Sequence, residues 1–331
     1  MKVLHVNNVA SVGELLCVAQ CKFLGYETHL INIIPKQMKF TRWEKLITLY
    51  NRIVLVVKAR KFISNFKPNI VHIHYSTSAL WMIGVKAKIV IHAHGSDIRL
   101  DKTDIARRLV NKVGLWRANI LLYSTPDLSA YAEKYSIKSS YLPNPVDPDV
   151  YQCGMTLEGR KGGVKILLFA APTRIKGFEI SSLAISEIFK KYQNASVTMF
   201  KNDESIKFAK SNYVGKINLI EPVDQSEVVR LICQYDIVLG QFIIGSYGMS
   251  ELQALSCGKP LICNAKNNSI VSASLPHLQA ESSEEILREF ERFMRLSRID
   301  LERLAENSRR WIVENHGLLH VIKRLDVYYK Q

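Results

Sequence analysis

The sequence predicts an α/β protein made of two doubly wound, Rossmann-like parallel-sheet domains facing a cleft. Two observations carry this prediction: short apolar runs alternate with helical patterns, and the alternation restarts after a proline- and glycine-rich break. In the first half, strands are expected over 3–6, 28–34, 70–74, 88–92 and 120–123. Helical patterns fall over 14–23, along a basic zone before residue 67, and near 104–116. The segment 142–163 has three prolines and four glycines and no sustained periodicity, which marks a linker. Beyond it come strands over 164–169, 196–200, 236–239 and 261–263, helices over 178–192 and 225–234, and a mainly helical tail over 284–329. The expected domains are 1–150, a linker at 151–163, and 164–315. A C-terminal helix over 316–331 is expected to pack back on the first domain.

Composition narrows the class. With 47% hydrophobic and 23% charged residues among 331, the chain has enough apolar surface for a large core and is not of the disordered type. No apolar run approaches the roughly 18–20 residues of a membrane span. The opening MKVLHVNN reads as a first strand, not a leader, so a cytoplasmic location is expected, with peripheral contact at the inner membrane face. The six cysteines lie mostly in apolar runs and show no paired zinc spacing, so reduced core residues are expected.

The net charge of +15 is lopsided: residues 1–150 carry 21 Lys and Arg against 10 Asp and Glu. Much of the excess lies in 36–67, where Lys58, Arg60 and Lys61 are interleaved with Tyr50, Ile53 and Val57. Such a stretch suits an anionic membrane surface, or else a helix whose apolar side packs on its own sheet. Nucleic acid is not expected, since no binding motif accompanies the charge.

Three motifs carry candidate chemistry. In GSYGMSELQALSCGKP (245–260), glycines precede a short helix, leaving backbone N–H groups and the helix dipole to meet a phosphate. In IVHIHYST (70–77) and IVIHAHGSDIR (89–99), histidines follow apolar strands. His72 and His92 read as core residues, whereas His94, before the flexible Gly95, is expected to project into the cleft. The His92–His94 pair has no evident third ligand, so no metal site is expected. In FAAPTRIKGFE (169–179), Arg174 and Lys176 lie between a strand and a helix and form a candidate diphosphate clamp.

Taken in order, these pieces resemble a family 4 glycosyltransferase of the GT-B fold. VHIHYST, HAHGSD, STPDL (124–128), YLPNPVD (141–147), APTRIKG and the 245–260 motif follow one another as in that family. The resemblance implies a retaining, metal-independent transfer from a nucleotide-sugar, with no cofactor beyond that donor. The acceptor would be a glycolipid or another lipid-linked or surface glycan. His94 would lie beside the donor sugar, while Arg174 and Lys176 would neutralise the departing diphosphate. The backbone of Ser246, Tyr247, Gly248, Met249 and Ser250 would cradle sugar and phosphates, and Gly13 would approach from the opposite domain. The family's two glutamates fall here on Gly245 and Gln253, with Glu251 two residues out of register. Gln253 would contact the ribose, and Glu251, about 200° away on a helix, would not replace it. That departure opens a second reading, a binding protein with a degenerate donor site, and the architecture itself a third, another enzyme class such as a nucleotide-sugar epimerase.

Overall fold

The computed structural model describes residues 1–34, 42–100, 104–135, 137–153, 163–210, 213, 215–270 and 274–331. The chain divides into two compact units, Met1–Pro145 with Leu318–Gln331, and Val146–Gly317. Most of the expected linker, and residues 36–41 of the basic zone, lie outside the described residues. Tyr151, at its start, is buried in the core of the second unit.

The first unit runs β1 (Lys2–Val6), α1 (Val12–Leu24), β2 (Glu27–Ile31), α2 (Arg42–Phe66), β3 (Ile70–His74), a 3-10 turn (Ser76–Met82), β4 (Lys88–Ala93), α3 (Ile105–Leu115), β5 (Ile120–Tyr123), α4 (Ser129–Ala132) and β6 (Ser139–Tyr141). Its sheet is wholly parallel, in the order β2-β1-β3-β4-β5-β6. Helices cover the strands, so β3 is buried at every position and β4 at all but its first. In α2, Val56, Ala59, Ile63 and Phe66 recur at three and four residues and form the core stripe.

The second unit runs β7 (Lys165–Leu168), a 3-10 turn (Arg174–Lys176), α5 (Phe178–Lys191), β8 (Ser196–Phe200), α6 (Asp203–Lys210), β9 (Ile217–Ile220), α7 (Val228–Cys233), β10 (Ile237–Leu239), α8 (Met249–Ser256), β11 (Leu261–Cys263), β12 (Leu278–Gln279), α9 (Ser283–Arg295) and α10 (Arg298–His316). Its parallel sheet has the order β12-β11-β10-β7-β8-β9. The last helix, α11 (Leu318–Lys330), belongs to the first unit, where Tyr329 is buried. β6, β9, β12 and α6 are additions to the sequence reading. The three strands are edge strands of two to four residues, too short to show a period.

The cysteine expectation needs correction. Cys153 and Cys233 form a disulfide across 80 residues, tying the chain after Tyr151 to the end of α7. Cys17, Cys257 and Cys263 are free and buried, and Cys21 is free and exposed. Cys233 ends the apolar run of α7 and so reads as a core residue, and pairing across such a separation leaves no trace in spacing.

Five histidines share one face of the first sheet. Strand register sets His5 opposite His72 and His74 opposite His92, and the period of two adds His94 beyond the end of β4. His5, His72, His74 and His92 have no solvent exposure. Burial disfavours their charged forms and holds His5 at about 4 and the other three well below their ordinary value. The folded state therefore keeps neutral rings while the unfolded chain takes up protons below about pH 6.5. Stability should fall on acidification from pH 6.5 to 5, above the ordinary carboxylate range, with His5 alone contributing about 1.4 kcal/mol per pH unit. Urea unfolding of the first-unit signal across that interval measures it, and a flat profile would contradict the neutral burial.

Candidate functional site

In the second sheet, the connections leave β7 and β10 toward opposite edges, so these neighbours form a topological switch point. Ligands of open α/β sheets bind beyond the carboxyl ends of strands at such a point. The loops there are 170–177 and 240–248, which hold the two sequence motifs. Lys176 joins them: its Nζ donates to Gln241 Oε1 at 3.0 Å, and its carbonyl accepts the Phe242 N–H at 3.0 Å. A Cβ built on Gly248 would lie 4.0 Å from Lys176 Nζ. The ammonium therefore stands at the N-terminus of α8, which starts at Met249. The amides of Met249 and Ser250 precede the first helical bond, from Leu252 N–H to Gly248 O, and are oriented for an anion.

Glu251 is turned inward. Its carboxylate accepts the Gln241 N–H at 3.0 Å and the Gly248 N–H at 2.8 Å, and the residue is 2% exposed. Gly240 makes room for it, since a Cβ there would come within 2.8 Å of the Glu251 side chain. Gln253 is also buried, donating from Nε2 to the Tyr151 hydroxyl at 2.9 Å. Gly245 has φ +74°, and a Cβ would meet Asn267 Nδ2 at 2.6 Å, so conformation and space both favour glycine. Ser246 is fully buried, and its Oγ has no partner among the described residues. Tyr247 is buried against Trp311, with its hydroxyl 2.5 Å from His277 Nδ1 and its N–H donated to Asn268 Oδ1. Arg174 is exposed on the same 3-10 turn as Lys176. The fold thus gathers Lys176 and 245–251, with Arg174 on the turn beside them. Gln241 and Tyr151, absent from the sequence reading, position Lys176 and Gln253.

His94 and Gly13 belong to the first unit. Gly13 lies in the first turn of α1, where a Cβ would stand 2.6 Å from the Asn7 carbonyl oxygen; close packing on that backbone accounts for it. His94 is half-buried, just after β4. The loop that carries it is fixed by the buried Asp97, whose carboxylate accepts the N–H groups of His94, Gly95 and Ser76 at 3.0, 2.9 and 2.7 Å. Burial lowers the His94 imidazole to about 4, with Asp97 acting in the opposite direction. Its Nε2 lies 3.0 Å from His74 Nδ1, His74 Nε2 lies 3.0 Å from His5 Nδ1, and His5 Nε2 lies 2.9 Å from Gln20 Oε1.

The histidines also supply the third ligand missing from the sequence reading. His5, His72 and His74, and likewise His74, His92 and His94, place one ligand atom each within 4.8 Å of one another. Their 3.0 Å pairs are hydrogen-bond distances.

Comparison with known proteins agrees with this architecture. Residues 2–125 match the family described as glycosyl transferase 4-like. Among solved structures, sucrose-phosphate synthase from Thermosynechococcus elongatus is similar at a TM-score of 0.75 and 12% identity, covering 100% of this chain and 98% of that one. Anabaena HepE in complex with UDP-glucose is similar at 0.74 and 11%, covering 100% and 99%. A putative UDP-N-acetylglucosamine 2-epimerase from Listeria monocytogenes is similar at 0.64 and 14%, covering 99% and 95%. The sequence matches none of the curated proteins with which it was compared. The first unit thus matches a glycosyl transferase 4-like family over residues 2–125, and the whole chain, with its two parallel six-stranded sheets, shares its fold with these solved structures.

Proposed function

We propose that the protein transfers a sugar, with retention and without a metal, from a nucleotide-sugar held by the second unit to a glycolipid or surface-polysaccharide acceptor. The observation that carries this reading is the Lys176 ammonium beside the N-terminus of α8 at the switch point. A diphosphate leaving group gathers charge as the glycosidic bond breaks, and a fixed cation with oriented amides stabilises that charge more than the ground state. Arg174, exposed on the same turn, adds a second cation. Sugar and ribose recognition departs from the family pattern: Gly245 offers backbone alone, Glu251 is committed to two amides, and Gln253 is held by Tyr151.

That departure favours one further reading, a protein that binds a nucleotide-sugar without transferring it. Incubating purified protein with nucleotide-sugars and following sugar transfer and free nucleotide separates the two, and an isomerised donor would point instead to an epimerase. Lys176→Ala should lower turnover roughly 100-fold or more while leaving the circular dichroism spectrum unchanged. Unaltered turnover would remove Lys176 from the reaction.

A cytoplasmic, peripheral-membrane location is part of the proposal. No helix among the described residues is long and apolar enough to cross a membrane. α2 instead exposes Leu46, Tyr50, Ile53 and Val57 near Lys58 and Lys61, while α3 exposes Ile105 and Leu109, and Trp116 just after it, near Arg107, Arg108 and Lys112. Arg60 donates to the carbonyls of Trp81 and Ile83 and is spent on structure. Replacing Lys58 and Lys61 by Gln should weaken partition onto phosphatidylserine vesicles roughly 30-fold, at about 1 kcal/mol per lysine. Binding that ignores both the substitutions and salt would refute the surface. The Cys153–Cys233 disulfide argues for an oxidising setting, so thiols counted on protein from the reducing cytoplasm test the location: six reactive thiols under denaturant support it and four oppose it.

A further inference from the structure

The imidazole column has a direction that can be worked out from its ends. A carbonyl oxygen only accepts, so Gln20 Oε1 requires the proton on His5 Nε2. A neutral imidazole carries one N–H, so His5 Nδ1 is then an acceptor and His74 Nε2 must donate to it. By the same step His74 Nδ1 accepts, and His94 Nε2 donates. The polarity set at Gln20 therefore reaches His94 and leaves its Nδ1 without a proton. Among the described residues, no hydrogen bond is made to that atom.

Everything depends on which way the Gln20 amide faces, and Tyr329 on α11 decides it. The Tyr329 hydroxyl lies 2.6 Å from His72 Nδ1 and 3.1 Å from Gln20 Nε2. The short contact suits an O–H donor and the longer one an N–H donor. Tyr329 thus donates to His72 and accepts from the Gln20 amide nitrogen, which turns Gln20 Oε1 toward His5. A reversed amide would oblige the hydroxyl to donate across the longer gap and accept an N–H across the shorter one. It would also turn every bond in the column around.

We propose that Tyr329, Gln20, His5 and His74 are positioning residues of a one-way hydrogen-bond relay that holds His94 as its neutral Nε2–H tautomer with Nδ1 bare. His94 then accepts from a ligand hydroxyl or other hydrogen-bond donor and does not bind an anionic oxygen. Naming a sugar hydroxyl as that group rests on the transferase reading, whereas the tautomer does not. A metal ion between His5 and His74 would need a lone pair on both facing nitrogens, and one of them carries the shared proton. His5 and His74 are fully buried, which shields the bond between them from water, and His94 is half-buried at the outer end.

The test needs no substrate. In full-length protein labelled with 15N-histidine, long-range proton–nitrogen spectra at pH 7 should show His5, His74 and His94 each protonated at Nε2 alone, with assignments from single His→Gln variants. A proton on Nδ1 of any of the three, a doubly protonated ring, or rings with both nitrogens unprotonated as in a metal complex would overturn the proposal. In Tyr329→Phe, the Gln20 amide loses the group that orients it, and the His94 Nε2–H population should drop at least twofold as the second tautomer appears. A single unchanged tautomer there would remove Tyr329 and Gln20 from the relay. Failure of sugar transfer in the wild type would leave these spectra, and this conclusion, as they stand.

Discussion

Where a parallel strand ends, the chain leaves the ladder with backbone N–H groups that still need acceptors, and in both units a buried carboxylate supplies them. Asp97 takes three such groups from the loops after β3 and β4. Glu251 takes two from the loop after β10 and the start of α8. An unpaired buried amide costs about 1–3 kcal/mol, so either carboxylate governs several kcal/mol of loop order. The positions of His94, Lys176 and the α8 amides all follow from these two clamps. Each clamp is a structural use of a residue type that elsewhere serves chemistry.

This use explains the odd register of the 245–260 motif. An acid at Glu251 lies at the third position of α8, where it can reach back to Gly248 N–H and across to Gln241 N–H. Each of its oxygens holds one of these amides, and at 2% exposure the side chain is turned away from a ligand lying outside the loop. Gln253 is occupied in the same sense by Tyr151, whose hydroxyl Gln225 Nε2 also reaches. What remains for recognition is backbone, helix dipole, Lys176 and the exposed Arg174, a set that suits phosphate oxygens better than the hydroxyls of one particular sugar.

Much of the fold was legible in the sequence because central strands of a covered parallel sheet read as continuous apolar runs. The strands at 70–74, 120–123 and 261–263 have the bounds their hydropathy suggests. Edge strands such as β12 fade because pairing on one side needs neither length nor apolarity. At the site, Lys176 and the glycine turn were legible from the local pattern of strand, turn and helix. His5 and Gln20 were not: each is one polar residue in an apolar run, and their meaning depends on the pairing of β1 with β3. Tyr329 is separated from Gln20 by 309 residues, so no local rule connects them.

The two units therefore differ in kind electrostatically. The first concentrates five imidazoles, yet burial keeps them uncharged near neutrality, so they contribute direction and no net positive potential. A diphosphate needs cations and oriented amides, and the second unit has them at its switch point. A bare imidazole nitrogen repels an anionic oxygen through its lone pair and accepts a hydroxyl proton readily. The proposed charge recognition and the proposed hydroxyl recognition fall to different folding units by the same physical rule, that burial without a counter-charge forces neutrality. Lys176 escapes the rule because its ammonium is only partly buried at the loop edge and meets the Gln241 amide oxygen there.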